Sequence, residues 1–542
     1  MPAGTHTAPG RGAKASPGES VTPAQLVTGI ESYLADHPAA AVLEDGRVLF
    51  DMHSARYSAT ESHGRCLLQL WSEERNLIRT VVAMQMRAGC LRLMTRRMGA
   101  AKPEALELVP TSDRRTPTAR DTARRRYLRL LERTLAHRFP GAKVDGMRSA
   151  MDLEHSFGPA YVRGRLLQGT AADAMIGVGA SESGATIDGV LTLGILWLDY
   201  CRKHGDARRH FGGLKVVVPA GAERTTAERM AWLNHAAANF QLFTLDERSE
   251  ELVPVDIRDT GNIESRLVHA FSSQAVIERC QDAINRVRAL LPPAASERIE
   301  IYPHSTSEVG LLLHGLEFAR VRRGAAANSF AQQDEITFGA GAHETPLIEE
   351  TEAMARELFA RLFQSRHPDG LHTDALFRIQ PERWLESRLR AALPELMPHL
   401  RGDRVYSQVP ALSSSERGML DLLALDRDGR LTVIELKANE DLHLPLQALD
   451  YWIRVRALNQ DRRADPSGRM VSAFERMGYF PGTDISPRPP RLLLAGPALR
   501  IHPANEPVLR YFSPEIEWEL LAFSEHWRRE LKAVFRKRSG GL

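Results

Sequence analysis

The sequence predicts an α/β protein of several domains, in which mixed sheets flanked by helices are accompanied by β-rich accessory modules. A chain of 542 residues is too long for one hydrophobic core. A buried strand, a polar loop and a helix follow one another near residues 175–204 and again near 433–460, which is the pattern of α/β units. Well before each of these regions, a stretch alternates apolar and polar residues as antiparallel hairpins do.

The bulk composition is that of an ordinary globular protein, with 43% hydrophobic and 26% charged residues. A net charge of +3 excludes a uniformly basic nucleic-acid binder, so any such surface is local. The four cysteines lack C-x-x-C spacing, which argues against a zinc site or a disulfide framework. Residues 1–22 are expected to form a disordered tail, and the longest apolar stretch, 190–198, is too short to span a membrane. A soluble cytoplasmic protein without membrane contact is expected.

The segment 418–437 (GMLDLLALDRDGRLTVIELK) predicts a β-hairpin, because two apolar runs flank Asp-Arg-Asp-Gly. If residues 427–429 form a three-residue loop, counting outward places Asp421 directly opposite Glu435. Opposed residues point to the same face, with Cβ atoms ~5 Å apart. Lys437 lies two residues beyond Glu435 and therefore shares this face.

Two carboxylates and a lysine on one face suit metal-dependent hydrolysis. Adjacent carboxylates raise each other's pKa, and a bound Mg²⁺ or Mn²⁺ would relieve their repulsion. Such an ion polarises a phosphodiester and lowers the pKa of a bound water, which Lys437 could orient. The alternative is a surface ion pair between Glu435 and Lys437 on an edge strand. The apolar neighbours Val433, Ile434 and Leu436 disfavour it.

The spacing D-(x13)-E-x-K from Asp421 to Lys437 resembles the PD-(D/E)xK nuclease superfamily, although Leu420 stands where the name motif has proline. The resemblance implies a restriction-endonuclease-like mixed sheet flanked by helices. It implies Mg²⁺- or Mn²⁺-dependent cleavage of DNA, with catalytic residues Glu386, Asp421, Glu435 and Lys437. The three acids would also be the metal ligands, together with the main-chain carbonyl of residue 436.

The family's acidic residue on the helix before the hairpin corresponds to Glu386. Residues 381–393 (PERWLESRLRAAL) have helical apolar spacing, and Glu386 lies within them. The alternative is that Glu386 only forms an ordinary i,i+4 ion pair with Arg390.

A helix is also predicted after the E-x-K strand, over residues 444–460 (LPLQALDYWIRVRALNQ). Gln447, Tyr451 and Arg454 lie on one face of it. This is similar to the Q-x-x-x-Y helix of the RecB-type branch, which implies nucleic-acid-binding roles for the three side chains. The alternative is the polar stripe of an amphipathic helix. The apolar run 491–495 fits the next core strand.

The earlier α/β region resembles a degenerate second copy of this domain. Aligning the two puts Arg163, Gly177 and Gly179 where the later copy has its hairpin acids and lysine, and Glu132 where it has its helix acid. A duplicated nuclease fold is therefore predicted, with the metal site lost from region 124–275. The alternative is convergence of two strand–helix units, which α/β proteins contain in number.

The predicted layout is a tail (1–22), a β-rich accessory module (23–113), a degenerate nuclease-like domain (124–275), a second β-rich module (276–370) and a nuclease domain (378–536). Each β-rich module is expected to end in a helix, the first beginning at Asn76 and the second at Glu349.

Basic clusters could contact phosphates or could be solvated helix faces and linkers. They comprise Arg96 with Arg97, the run Arg114, Arg115, Arg120 and Arg124 to Arg126, and Arg320 with Arg322 and Arg323. The glycine-rich segment 338–343 lacks a following Lys-Ser/Thr and is not a phosphate-binding loop. Together these features predict a metal-dependent DNA endonuclease and leave a homodimer open. The alternative is a non-catalytic nucleic-acid-binding or scaffold protein that keeps the fold.

Overall fold

A computed structural model shows a mixed α/β protein with several sheets, comprising two mixed sheets flanked by helices and one antiparallel half-barrel. It describes residues 22–44, 46–62, 64–72, 75–87, 89–97, 103–111, 113, 116–152, 156–259, 265–293, 295–325, 332–340, 344–413 and 417–540. Apart from Thr22, the predicted tail lies outside these residues. Two compact units comprise 1–131 with 179–182, and 132–178 with 183–542. No described helix is long and apolar enough to cross a membrane.

The first unit is built on a seven-stranded antiparallel sheet of order β2-β1-β7-β6-β5-β4-β3. Its elements are α1 (Pro23–Asp36), β1 (Ala41–Glu44), β2 (Arg47–Asp51), β3 (Arg56–Ser62), β4 (Arg65–Trp71), β5 (Asn76–Arg87), β6 (Cys90–Arg96) and β7 (Glu104–Val109). Leu26, Ile30 and Leu34 of α1 are buried in one core with the sheet.

The helix predicted from Asn76 is wrong, because this segment forms the antiparallel strands β5 and β6. At the start of β5 burial alternates with period two, since Leu77 and Val81 are buried while Ile78 is 55% exposed. Alternation of this kind belongs to a strand with one face in the core. The apolar content of the segment concealed this period of two.

The second unit begins within α2 and contains a six-stranded sheet of order β13-β12-β11-β10-β9-β8. Its elements are α2 (Pro117–Arg138), β8 (Lys143–Arg148), β9 (Tyr161–Gln168), β10 (Ala171–Val178), α3 (Gly184–Asp188), α4 (Val190–His204), β11 (His210–Pro219), α5 (Arg224–Met230), β12 (Asn239–Asp246) and β13 (Glu251–Val255).

The second unit also contains a five-stranded antiparallel sheet, in which β15 to β19 pair in sequence order. The elements here are β14 (Ser265–Arg266), α6 (Ser273–Arg279), α7 (Gln281–Arg288), β15 (Ile299–Ser305), β16 (Glu308–Leu313), β17 (Leu316–Ala325), β18 (Gln332–Phe338), β19 (Thr345–Pro346) and α8 (Glu352–Ser365). Helix α8 confirms the helix predicted from Glu349. Strand β14 pairs with a strand of the last sheet, although the sequence placed it in the earlier α/β region.

The last sheet has the order β14-β20-β21-β22-β25-β26-β27. Its elements are α9 (Ala375–Arg378), α10 (Pro381–Leu396), β20 (Leu400–Ser413), β21 (Arg417–Asp426), β22 (Leu431–Leu436), α11 (Leu444–Gln460), β23 (Arg463–Ala464), β24 (Met470–Val471), α12 (Ala473–Arg476), β25 (Arg491–Pro497), α13 (Asn505–Leu509), β26 (Trp518–Phe523) and β27 (Ala533–Arg538). Strands β23 and β24 form a separate two-stranded sheet.

The two mixed sheets share one topology over six strands. In each sheet, neighbouring strands pair in sequence order. The first strand pairs antiparallel with the second, and the second pairs antiparallel with the third. The third, fourth and fifth strands are parallel, and the sixth pairs antiparallel with the fifth. A long helix precedes the first strand and another connects the third strand to the fourth, and a short helix connects the fourth to the fifth. Order, direction and helix placement therefore all coincide.

One hydrophobic core extends through both mixed sheets and the helices between them. Within it, the guanidinium of Arg229 donates to both carboxylate oxygens of Asp450, at 2.9 and 2.7 Å. Trp232 packs edge-to-face on Trp452, with ring centroids 4.9 Å apart. Packing and a bidentate ion pair thus join the two sheets, in addition to the connecting chain.

The turn between β21 and β22 confirms the predicted three-residue loop. The backbone N–H of Asp426 donates to the carbonyl of Arg430 at 2.9 Å, which encloses residues 427–429. The Asp426 carboxylate accepts a hydrogen bond from the backbone N–H of Arg430 at 2.8 Å. Gly429 has φ +76°, a conformation that side chains with a Cβ adopt only at a cost. The turn therefore fixes the register of the hairpin.

Replacing Gly429 by alanine is expected to destabilise the protein by about 3 kcal/mol, from backbone strain and crowding combined. An added Cβ would lie 2.4 Å from the carbonyl oxygen of Asp484. Gly468 is the matched control, because it has φ +83° with nothing within 4 Å of an added Cβ. Gly468→Ala should cost only about 1 kcal/mol. Urea denaturation measures both, and equal losses would contradict the role given to crowding at the turn.

Candidate active site

The hairpin places its two acids as predicted. The β21–β22 ladder ends at the pair Leu422 with Ile434, so the next positions in register are Asp421 and Glu435. Strand β22 pairs on its other side with β25, which places Glu435 in the interior of the sheet. One carboxylate oxygen of Asp421 accepts the backbone N–H of Leu436 at 2.9 Å, which holds the side chain across the hairpin.

Glu386 reaches the same place from α10, where it is buried. The side-chain amide of Gln408 donates to Glu386 Oε2 at 2.8 Å and to Asp421 Oδ1 at 3.4 Å. Arg383 donates to the same Glu386 oxygen at 3.1 Å. Arg390 contacts Glu300 and Ser407. The i,i+4 pair with Arg390 is thus not what holds Glu386.

Glu435 is the most desolvated acid of the site. It is 4% exposed, and its Oε2 atom has no hydrogen-bond partner among the described residues. Burial, and then the charge of Asp421, raises the pKa of Glu435 well above its usual value. Burial likewise raises the pKa of Asp421 and of Glu386. The site therefore contains three carboxyl groups whose ionised forms lack solvation.

Lys437 lies among these acids. Its Nζ atom is 4.0 Å from Glu435 Oε1 and 3.8 Å from Asp441 Oδ2. Burial alone would lower the pKa of Lys437, but the charges of Glu435, Glu382 and Asp441 outweigh it and the pKa is raised. The lysine is therefore held in its charged form at neutral pH.

Three polar residues of the site were not predicted. Glu382 contributes to the electrostatic field at Asp421, Glu435 and Lys437, and Asp441 contributes to the field at Glu435 and Lys437. Each lies four residues from a predicted site residue: Glu382 precedes Glu386 on the same helix, and Asp441 follows Lys437 in the next loop. This spacing is the signal that could have identified them. Gln408 has no comparable signal. We call Glu382, Glu386, Asp421, Glu435 and Asp441 the acid cluster.

Of the three residues predicted on one face of α11, Tyr451 has an electrostatic link to the acid cluster. Burial, and then the charges of Glu435 and Asp421, raises the pKa of Tyr451. Arg454 donates to the carbonyl of Asp450 at 2.8 Å within the same helix. Gln447 and Arg454 are half-buried. Tyr451 is thus the helix residue with the firmest link to the site.

The first mixed sheet lacks the acids, but the predicted correspondence for Asp421 needs correction. In its hairpin Gly177 pairs with Val162, whereas Arg163 pairs with Ile176. The register differs by one because that hairpin has a two-residue loop. Arg163 is buried, with its guanidinium 4.5 Å from the centre of the Phe157 ring. Gly179 belongs to the other compact unit.

Glu132, the residue aligned with Glu386, is exposed. It therefore does not reproduce the buried helix acid of the last sheet. The hairpin positions of the first sheet hold glycine and valine, so neither offers a carboxylate to a metal ion.

Each predicted basic cluster contains at least one ion-paired arginine among its described residues. Arg320 contacts Glu308, Glu317 and Glu344. In the first unit, Arg124 contacts Glu182. Arg114, Arg115 and positions 341–343 of the glycine-rich segment lie outside the described residues. These ion pairs leave less positive charge for phosphates than the sequence indicated.

The donor set fits a hard divalent cation in its chemistry, because Asp421, Glu435 and Glu386 offer carboxylate oxygens and one of them is buried without a partner. Its geometry is not preassembled. Within the described part of the chain, no three His, Cys, Asp or Glu side chains are placed to hold one ion. The amide of Gln408 lies between two of the acids instead.

No protein-family model and no curated protein matches the chain. The geometry and the charge of the acid cluster are therefore the basis for inferring a function.

Replacing Glu435 by glutamine is expected to stabilise the metal-free protein at alkaline pH. A folded-state pKa above the unfolded value means that ionisation costs stability, and this cost grows as pH rises from the usual range of a glutamate carboxyl through the folded pKa. Glu435→Gln should therefore unfold at higher urea in EDTA, by about 2 kcal/mol at pH 9, with a flatter dependence on pH.

The exposed Glu440 of the following loop is the matched control, and Glu440→Gln should leave the pH profile unchanged. A Glu435→Gln variant that is less stable than the parent at pH 9 would contradict the predicted cost of the buried carboxylate.

Proposed function

We propose that residues 378–536 form a metal-dependent nuclease domain that hydrolyses phosphodiester bonds in DNA as an endonuclease. One observation carries the proposal. The hairpin register sets Asp421 opposite Glu435. The side-chain amide of Gln408, in β20, links Asp421 to Glu386, which lies on the separate helix α10. The sheet order and the helix placement support a restriction-endonuclease-like fold.

The burial of the acids favours a chemical role over a structural one. A buried carboxylate with an unpartnered oxygen destabilises the fold, whereas an apolar residue at position 435 would extend the apolar face formed by Leu431 and Val433 without that cost. Carboxyl groups with raised pKa values in a shared cluster are characteristic of catalytic and metal sites. The unfavourable environment of Glu435 therefore supports a site that is completed by a cation.

Mg²⁺ or Mn²⁺ would be held by Asp421, Glu435 and Glu386, with the backbone carbonyl of Leu436 as a further ligand. When bound, it supplies charge stabilisation at the phosphate and a water of lowered pKa. The chain's own contribution includes Lys437. Because its ammonium is kept protonated by the surrounding acids, Lys437 acts as a hydrogen-bond donor that positions water or stabilises phosphorane charge.

Helix α11 would hold the strand that is cut. The raised pKa of Tyr451 keeps its phenol protonated, so the hydroxyl can donate to a phosphate oxygen close to the acids. Gln447 lies one turn earlier on the same face, and Arg454 lies one turn later. Together they would direct the phosphodiester toward Glu435 and Lys437.

The common topology of the two mixed sheets supports a duplication, in which the first copy has lost its metal site. Six strands with the same order and direction, and three helices in matching places, exceed what one shared strand–helix unit would require. The first copy then contributes packing, through the core that both sheets share.

A non-catalytic nucleic-acid-binding protein is the second candidate. It is favoured because the amide of Gln408 already holds Glu386 and Asp421. Among the described residues, no three metal-binding side chains surround one point. This candidate predicts DNA binding that is insensitive to divalent ions, and no cleavage.

Purified full-length protein is expected to cleave DNA in Mg²⁺ or Mn²⁺ and not in EDTA. Glu435→Ala and Lys437→Ala should each lower the rate by at least about 10²-fold, since each removes charge at the reacting phosphate. Glu440→Ala removes an exposed acid of the loop that follows Lys437 and should retain the parent rate. Gel assays on linear, circular and single-stranded substrates, including RNA, measure the cleavage.

Absence of cleavage of every substrate, by folded protein that also fails to bind Mn²⁺ in calorimetry, would overturn the nuclease proposal. Ion-insensitive DNA binding under the same conditions would favour the second candidate. Equal loss of rate in Glu440→Ala and Glu435→Ala would instead show that the acid cluster is not the active site.

Arg454 and Tyr451 of α11 are both expected to contribute to DNA affinity, and the dependence of affinity on salt concentration distinguishes the two contributions. Arg454→Gln should reduce the slope of log affinity against log salt by about 1, because one phosphate contact loses its charge. Tyr451→Phe should weaken binding about tenfold with the slope unchanged, since it removes a neutral hydrogen bond to a charged group. Fluorescence anisotropy on a duplex, in EDTA, measures both. Arg463→Gln, exposed beyond the helix end, should alter neither property.

A further inference from the structure

Gln408 has a backbone conformation that its strand does not require. On either side of it, Ser407 pairs with Leu422 and Val409 with Leu420, so the register of β20 on β21 does not change across Gln408. Gln408 itself has φ +50°, in the left-handed region. A residue with a Cβ adopts that region at a cost, and such strain is concentrated at functional sites. In register, Gln408 stands opposite Asp421.

The side-chain amide of Gln408 lies between two acids of the site. The backbone conformation places the amide nitrogen of Gln408 between Glu386 Oε2 at 2.8 Å and Asp421 Oδ1 at 3.4 Å. The two hydrogens of this amide carry partial positive charge and face the two carboxylates. The amide thus occupies the position, and has the sign of charge, of a cation shared by the two acids.

The surroundings leave room for the amide to turn away. Gln408 and Glu386 both line a cavity of about 640 Å³ between α10, β20 and the five-stranded sheet of β15 to β19. Tyr302, Arg383 and Ser407 also face this cavity. An amide that rotated into it would enter space large enough for water.

We propose that the Gln408 amide competes with the divalent ion for Glu386 and Asp421, and so lowers the affinity of the site for metal. This inference rests on the proposed function and adds a regulator to the same site. In the metal-free state the amide stabilises the two acids. Metal binding must displace it, so the hydrogen bonds lost from the amide are subtracted from the binding free energy.

The test is titration of the full-length protein with Mn²⁺ by calorimetry. Gln408→Met keeps the side-chain length and removes the amide, and is expected to bind Mn²⁺ about tenfold more tightly, the effect of removing a competing hydrogen bond to charged groups. Its metal-free melting temperature should fall, while the rise in melting temperature on adding Mn²⁺ should exceed that of the parent. Gln408→Gly also removes the amide and relieves the φ strain, so it should fold and bind tightly as well.

Gln380 is the matched control. It is also a glutamine with positive φ, +46°, at the start of α10, and it lines the same cavity. Gln380→Met should leave the Kd for Mn²⁺ unchanged, which separates the loss of the amide at Gln408 from a general effect of the substitution.

Parent protein that binds Mn²⁺ and cleaves DNA, alongside Gln408 variants with equal or weaker affinity, overturns the competition and leaves the nuclease proposal standing. Parent protein that neither binds Mn²⁺ nor cleaves any substrate overturns both. Tighter binding by both Gln408 variants, with Gln380→Met unchanged, supports the competition.

Discussion

The register of the β21–β22 hairpin is the constraint on which the acid cluster depends. A slip of one residue would turn the side chains of one strand to the opposite face, so Asp421 and Glu435 would no longer meet. The turn closed by Asp426 and Arg430 fixes this register at one end of the hairpin. At the other end, the bond from the Leu436 backbone to Asp421 extends the alignment to the site.

The hairpin also shows how a stable core accommodates an unfavourable group. Strand β22 is buried along its whole length, and Glu435 is its one ionisable residue. Burial of the surrounding leucine, valine and isoleucine side chains contributes about 2 kcal/mol for each. That contribution lets the sheet tolerate a carboxylate with an unpartnered oxygen. The same apolar surroundings exclude water and strengthen the electrostatic interactions of the acids with Lys437.

The sequence predicted those features that follow from local periodicity and missed those that follow from tertiary placement. The hairpin loop, the opposition of Asp421 and Glu435, and α11 were predicted because turn chemistry and apolar spacing determine them locally. The helix predicted from Asn76 is wrong because the apolar content of β5 and β6 conceals their period of two. Gln408 was missed because a left-handed residue within a strand leaves no pattern in the sequence. Arg163 was misplaced because the two hairpins have loops of different length.

The core that joins the two mixed sheets has a consequence for how the chain can change over generations. Trp452 and Asp450 on α11 pack against Trp232 and Arg229 from the first sheet's side, so neither sheet has a complete interior by itself. A deletion of the first sheet would expose this apolar surface to water and leave Asp450 unpaired. Changes at these buried contacts are therefore constrained in pairs, because a substitution on one side alters the packing of its partner on the other side.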